Sequence, residues 1–259
     1  MSWITKTLSS SIGKKVLMSL TGLFLCTFLI VHLIGNLQLF KSDGGYAFNT
    51  YAVFMTTFPL IKIVSYANYF LILFHAFWGL YITYQNKKAR PVGYAVTNNS
   101  SSVFSRNMAV LGTVLLVYMV VHMSDFWYRY HNDDTLPFVK YTENLNTGGV
   151  VNEILPTTYT QISKKVESYN ELNGTKSVIV KDLYKIVGES FKNILLVLLY
   201  LVGMFAVSFH LYHGFQSAFK SLGFNHPKYF PLIKFIGIGI FAILIPLGYA
   251  AMPVYFFFK

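Results

Sequence analysis

The chain has 259 residues, of which 54% are hydrophobic and only 12% charged, and its net charge is +11. A soluble domain usually has about 25% charged residues, so this composition excludes an ordinary soluble globular protein. The basic and acidic residues occupy separate parts of the sequence, a distribution that indicates membrane topology and excludes nucleic acid as the expected partner.

Five apolar stretches follow one another along the chain. They cover about residues 16–40, 62–84, 106–128, 191–218 and 232–257. Each is long enough to cross a hydrocarbon core of ~30 Å at about 1.5 Å per residue, and in lipid such a run must be helical to satisfy its own backbone. The sequence predicts an all-α integral membrane protein, a single membrane domain of residues 1–259 with five transmembrane helices, spans one to five.

The charges beside the spans predict an orientation. Three segments are basic and contain no acidic residue: the N-terminus and the connections between spans two and three and between spans four and five. Their basic residues are Lys6, Lys14, Lys15, Lys87, Lys88, Arg90, Arg106, Lys220, Lys228 and Lys234. Because basic segments remain in the cytoplasm and attract anionic lipid headgroups, we expect a cytoplasmic N-terminus and a C-terminus on the other side.

The connection between spans three and four, about residues 129–190, is an external loop insertion. It contains short alternating pieces, such as residues 177–180, and an amphipathic segment at 181–192. Its length is sufficient for a small folded cap on the outer face, and no motif in it indicates a role.

Spans one to four each carry one histidine well inside the membrane, namely His32, His75, His122 and His210. An ionisable side chain at this depth is costly and indicates function. Each histidine lies past the midpoint of its span, and successive spans run in opposite directions. We therefore expect His32 to meet His122 in the outer half of the membrane, and His75 to meet His210 in the inner half.

Two histidine pairs at different depths are typical of two b-type haems, because a flat macrocycle takes one imidazole from each side. Gly79 and Gly214 follow the histidines of spans two and four by four residues, and Gly35 follows that of span one by three, which offers room for the macrocycle edge. A zinc or copper site would need three or four ligands at one point. A proton relay would mix histidines with carboxylates, and Asp125 is the single candidate in the spans.

Four motifs occur in a fixed order. They are Ser19-Leu-Thr21-Gly22-Leu with His32 thirteen positions after Ser19, His75-Ala-Phe-Trp-Gly79, His122-Met-Ser-Asp125-Phe-Trp127 and Phe209-His210-Leu-Tyr-His213-Gly214-Phe. In these the chain resembles the dihaem, five-helix cytochrome b subunit of succinate:quinone oxidoreductases, in particular the b558-type anchor found in Bacteroidetes. The resemblance covers spans one to four, span five by hydropathy alone, and hardly any of the external loop.

The resemblance implies a membrane anchor of succinate dehydrogenase or quinol:fumarate reductase, in the bacterial inner membrane, with a periplasmic C-terminus and a place in the respiratory chain and the tricarboxylic acid cycle. It implies a haem-binding four-helix bundle of spans one to four that carries electrons through two haem b groups. The electrons pass between a cytoplasmic iron–sulfur subunit, which binds a flavoprotein, and a membrane quinone, for which the family favours menaquinone. The chain itself would perform no dicarboxylate chemistry, and a dimer of heterotrimers is compatible with the family.

The resemblance also implies residue roles. The four span histidines would be axial ligands of the haem irons, with His210 preferred to His213 because Gly214 fixes the register. Ser19, Arg106 and Lys220 would be propionate partners, although the two basic residues are equally explained as topology signals. Ser208 stands where some fumarate-reducing members carry a glutamate, so a proton path of that kind is not expected. The quinone site is unassigned, with Asp43 and Asp125 as carboxylates near the outer pair.

Two other functions fit the same residues. One is a dihaem cytochrome b that serves another dehydrogenase, such as a hydrogenase or a nitrate reductase. The other is a haem-free transporter that uses its buried histidines.

Overall fold

The computed structural model describes residues 3–89, 103–161 and 163–259, so Arg90 lies outside the described residues. Within these ranges, five helices are long and apolar enough to cross a membrane: Ser11–Phe40, Pro59–Ala89, Met108–Asn132, Ile194–Ser221 and Phe230–Phe258. They correspond to spans one to five, and the prediction of five helices of sufficient length and apolarity to cross a membrane is confirmed. Span three continues four residues beyond its predicted end, so the external loop begins after Asn132.

Three of the spans depart locally from α-helical geometry. Span one ends in a 3₁₀ turn, Leu37–Phe40, and π-helical segments occupy Met123–Tyr128 in span three and Ile236–Leu244 in span five. The π-helical segment of span three starts at the residue after His122. Such segments are rare and often lie at functional sites, because the wider turn changes the direction in which neighbouring side chains project.

The described chain forms two compact units. The first consists of Met1–Val31, Tyr66–Tyr118 and Leu199–Ala250. Its helices contact each other through small and aromatic residues: a Cβ added to Gly203 would lie 2.6 Å from the ring of Tyr118, and Tyr118 meets Tyr200 edge to face at 5.1 Å. The Tyr249 hydroxyl donates a hydrogen bond to the Leu29 carbonyl at 2.7 Å.

The second unit consists of His32–Ser65, Met119–Leu198 and Ala251–Lys259. It contains a four-stranded antiparallel sheet of order β2-β1-β4-β3. The strands are β1 (Phe138–Asn144), β2 (Val150–Ile154), β3 (Lys165–Asn170) and β4 (Thr175–Lys181). The prediction of an all-α protein was wrong in this region. Alternate residues of the two central strands, such as Tyr141 opposite Val178, are fully buried, which is the pattern of a sheet with one covered face.

Two helices outside the spans complete the second unit. The connecting helix, Tyr46–Thr57, was not predicted, and it packs Val53 against the buried face of the sheet. The amphipathic helix, Leu183–Ser190, lies in the segment whose sequence is amphipathic. Asn49 joins the three elements: its side-chain amide donates to the Tyr141 hydroxyl at 2.8 Å and to Asp182 Oδ1 at 2.9 Å, and accepts from the Tyr184 amide at 2.9 Å. Burial raises the pKa of the Asp182 carboxyl.

Candidate functional site

The first unit brings His75 of span two and His210 of span four together. Their ring centroids are 6.2 Å apart and their planes are inclined at 67°. A metal–imidazole bond is about 2.0 Å long and the nitrogen lies about 1.2 Å from its ring centre, so two imidazoles on opposite sides of one ion have centroids about 6.4 Å apart. The observed separation therefore fits two axial ligands of one iron.

Thr21 of span one determines how His75 is oriented. The Thr21 hydroxyl lies 2.9 Å from His75 Nδ1, and it also lies 2.9 Å from the Leu17 carbonyl and 3.1 Å from the Met18 carbonyl. A hydroxyl has one proton, and the backbone carbonyls can only accept it. When the Thr21 hydroxyl donates to one of these carbonyls, it accepts a hydrogen bond from the Nδ1–H of His75, and in that tautomer the lone pair of His75 is on Nε2, the nitrogen available to a metal.

The contact between Thr21 and His75 was not predicted from the sequence, in which Thr21 is only part of the first motif. A hydroxyl residue beside a glycine at membrane depth, here Thr21 and Gly22, could have indicated this contact, since such pairs occur where helices approach closely. The structure has this contact: a Cβ on Gly22 would lie 3.2 Å from His75 Cε1. Gly22 thus allows the His75 ring to lie against span one, within reach of Thr21.

His210 differs from His75 in its surroundings. Its Nδ1 is buried and has no hydrogen-bond partner among the described residues. His213, one turn later, is half-buried, and within the described part of the chain it makes no ring contact with His75. The Cβ position of Gly214 is nearly open, with its closest neighbour, Met108 Cε, at 3.9 Å. The geometry therefore favours His210 over His213 as the partner of His75.

The second unit brings His32 of span one and His122 of span three together. Their ring centroids are 5.9 Å apart and their planes are nearly perpendicular, at 87°. Phe126 meets the His122 ring edge to face at 5.5 Å, and Asn36 donates from its side-chain amide to the His32 carbonyl at 2.7 Å. This separation also fits two axial ligands of one metal ion. The structure thus brings together the two residues of each expected pair, and their role as ligands stays a prediction.

The two candidate carboxylates of the outer pair have different environments. Asp125 Oδ2 is buried and has no hydrogen-bond partner in the described residues, three positions after His122 in the π-helical segment. Asp43 instead accepts from the backbone amides of Gly45 and Ala47 at 3.0 and 2.9 Å, at the start of the connecting helix. Asp43 is therefore explained by helix capping, whereas Asp125 is a buried acceptor that a ligand could satisfy.

The three expected propionate partners lie in the first unit but are engaged in different contacts. Ser19 is buried and donates to the Lys15 carbonyl at 2.8 Å, which leaves its oxygen able to accept a further bond. The Lys220 ammonium lies 5.0 Å from the ring centre of Phe230. Arg106 is exposed at the end of the short helix Val103–Arg106. None of these contacts decides between a propionate partner and a topology signal.

The glycines expected to make room for a macrocycle behave differently from one another. Gly35 faces the Tyr51 ring of the connecting helix so closely that an added Cβ would overlap it, so its expected role beside His32 is replaced by helix packing. Gly79 faces Met18 of span one, whose terminal methyl would lie 3.1 Å from an added Cβ. Among the three, Gly214 is the one with open space beside it.

A cavity of about 610 Å³ lies in the second unit, beside the end of span one. Polar side chains of three segments line it, including Lys41, Tyr46, Tyr51 and Glu143. The Tyr46 hydroxyl donates to Glu143 Oε2 at 3.0 Å, and partial burial together with this carboxylate raises the pKa of Tyr46. The lining combines apolar side chains, such as Phe54 and Val150, with hydrogen-bonding groups, which suits a small polar head group with an apolar tail.

The described residues contain no cluster of three or more histidine, cysteine, aspartate or glutamate side chains that could hold a metal ion. The four span histidines lie in two pairs, one in each unit. No protein-family model, curated protein or solved structure matches the chain.

Proposed function

We propose that the chain is the dihaem cytochrome b anchor of a succinate:quinone oxidoreductase, with spans one to four as a haem-binding four-helix bundle. The observation that carries this proposal is the presence of two histidine pairs, each drawn from two different spans, with centroid separations of 6.2 and 5.9 Å. Both values are close to the ~6.4 Å of two imidazoles on one ion. The assignment to a succinate:quinone oxidoreductase depends on the resemblance of the four ordered motifs to those of that family.

His75 and His210 would hold one haem, and His32 and His122 the other. When bound, the haems supply reversible one-electron transfer, here between an iron–sulfur subunit and a quinone. The chain's own residues would orient the ligands: Thr21 contacts His75 Nδ1 and would hold the tautomer whose lone pair is on Nε2. Hydrogen bonding to ligands and burial are the means by which a protein adjusts haem potential.

The charge of the first unit supports docking of a partner at the basic ends of the spans. The segments of this unit carry ten basic residues and no acidic one, whereas all ten acidic residues of the chain belong to the second unit. An acidic surface on an iron–sulfur subunit would complement this charge. The same asymmetry is the basis for a cytoplasmic position of these ends.

The cavity of the second unit is our candidate for the quinone head group. Oxidation of a quinol releases two protons and reduction of a quinone takes up two, so the site needs a group that exchanges protons as well as an electron-transfer partner. Glu143, already hydrogen-bonded to Tyr46, lines the cavity, and Asp125 has a buried oxygen without a partner in the described residues. Of these two carboxylates, Glu143 is the one that lines the cavity, so we propose Glu143 as the proton-exchanging group of such a site.

Purification of the tagged chain from its native membrane tests this function. We expect a flavoprotein with covalent FAD and an iron–sulfur subunit to copurify, and succinate to produce a b-type α-band. A copurified nickel or molybdenum subunit would instead assign the chain to a hydrogenase or nitrate reductase. A chain without any b-type band after dithionite would leave the transporter as the better reading of the buried histidines.

A further inference from the structure

An aromatic ladder runs along span two in the first unit. Phe70 stacks on Phe74 with centroids 5.9 Å apart, Phe74 on Trp78 at 5.5 Å, and Trp78 lies 5.4 Å from Tyr81. Together with Leu73 and Phe77 these residues line a groove of about 480 Å³, the aromatic groove. The ladder extends over twelve residues, or eleven helical steps of about 1.5 Å, which make about 16.5 Å. This length is about half of a ~30 Å hydrocarbon core and so the depth of one leaflet.

One end of the aromatic groove carries a lysine from span one. The Lys14 ammonium lies 5.4 Å from the ring centre of Tyr81, and the Trp78 indole N–H donates to the Lys14 carbonyl at 3.2 Å. Two lining side chains carry a polar group: the Trp78 indole N–H is already bonded, and Tyr81 lies at the end that Lys14 occupies. The aromatic groove is thus mostly apolar and has the Lys14 ammonium at its end. This arrangement complements a phospholipid, which has an apolar acyl chain and an anionic phosphate.

The described part of the chain supplies no counter-charge for Lys14. The segments of the first unit contain no acidic residue, and among the described residues Lys14 forms no ion pair. A cation at the edge of an apolar groove, in a unit with ten basic residues, favours a ligand that is both anionic and apolar.

We propose that the aromatic groove and Lys14 form a binding site for one anionic phospholipid. An acyl chain lies along the ladder and the phosphate contacts Lys14, in the leaflet at the basic ends of the spans. A transmembrane helix of another subunit fits the groove less well, because helices approach each other through small side chains. Here Phe70 and Phe77 project outward, with 64% and 60% of their surface exposed.

Native mass spectrometry of the full chain in detergent tests the site with phosphatidylglycerol and phosphatidylcholine of identical acyl chains. We expect one phosphatidylglycerol to bind more tightly than phosphatidylcholine, and Lys14→Gln to weaken that binding about fivefold, the factor for one lysine at a membrane surface. Lys15→Gln is the matched control, since Lys15 is exposed and adjacent but contacts no groove residue in the described chain. Phe77→Ala should weaken both lipids, whereas Phe205→Ala, an exposed aromatic of span four, should weaken neither.

The proposal does not depend on haem binding, so its failure is distinguishable from failure of the proposed function. Equal losses in Lys14→Gln and Lys15→Gln would show diffuse attraction and overturn it, as would equal binding of the two lipids. If inorganic phosphate displaced bound phosphatidylglycerol as effectively as added phosphatidylglycerol does, the acyl-chain contact would be overturned. Retention of an acidic protein at the groove in place of lipid would overturn the choice of occupant.

Discussion

The hydroxyl of Thr21 lies 2.9 Å from Nδ1 of His75 and, when its own proton goes to the backbone of span one, accepts a hydrogen bond from the Nδ1–H. In that tautomer Nε2 of His75 carries the lone pair, and under the proposed function it would be the nitrogen that binds the haem iron. Hydrogen bonds to the second nitrogen of a ligating histidine commonly change metal affinity by about 10- to 100-fold when removed. Thr21 is thus a positioning residue for the inner pair.

Thr21→Val should weaken haem retention by the inner pair about tenfold and shift the midpoint potential of that haem, because the histidine loses its partner. Thr21→Ser keeps the hydroxyl and should restore both properties. Thr27→Val is the matched control, since the Thr27 hydroxyl donates to the Phe24 carbonyl of the same span on an exposed face. Redox titration of the purified chain measures the potentials, and an unchanged inner haem in Thr21→Val would contradict the assignment.

The register of the fourth ligand is tested by two variants of span four. His210→Ala should lose one b-type signal, because the His75 ring would have no opposing imidazole at 6.2 Å. His213→Ala should keep both signals, with at most a small shift. Low-temperature reduced spectra resolve the two haems. Loss of a haem in His213→Ala with retention in His210→Ala would show that the register is off by one turn.

The buried Asp182 predicts a pH dependence for the second unit. Because burial raises its pKa above 3.8, the folded chain binds this proton more tightly than the unfolded chain. The free energy of unfolding should therefore fall as the pH rises from 3.8 through the raised value, and then become flat. Asp182→Asn retains an acceptor for Asn49 and for the Lys185 amide. This variant should therefore lose the pH dependence. Thermal unfolding in detergent at several pH values measures it. A slope equal to that of the original chain would contradict the prediction.

Gly203 tests the close contact between spans three and four. An added Cβ would lie 2.6 Å from the Tyr118 ring, close to its attachment, so the ring cannot simply turn aside. Gly203→Ala should lower the free energy of unfolding by about 1–3 kcal/mol, the usual effect of overpacking. Gly112→Ala is the control, since nothing in the described structure lies within 4 Å of its added Cβ. An equal free energy of unfolding for the two variants would contradict the prediction, because it would mean that spans three and four can move apart without loss of stability.

The spans could be predicted because length and apolarity alone determine that a segment crosses a membrane. The connecting helix could not, because its sequence lies between two longer apolar runs and its core contact, Val53, becomes visible only with the sheet present. The sheet was missed for a related reason. β3 is exposed along its whole length, so it shows no burial pattern, and its place is fixed by pairing with β4.

Part of the candidate site could likewise be predicted from the sequence, and part could not. That His75 would meet His210 follows from helix direction and depth, which a sequence contains. The bond between Thr21 and His75 depends on how span one is rotated against span two, and hydropathy does not specify rotation. Likewise Gly35 accommodates Tyr51 of a helix that sequence analysis had not recognised.

The central claim is that the four span histidines bind two haems as two pairs. The most direct measurement is the number of haems per purified chain, by pyridine haemochrome, in single alanine variants of the four histidines. We predict two haems for the unaltered chain, one for each of His32→Ala, His75→Ala, His122→Ala and His210→Ala, and two for the loop control His226→Ala. Variants that keep two haems, or an unaltered chain that binds none, would contradict the account.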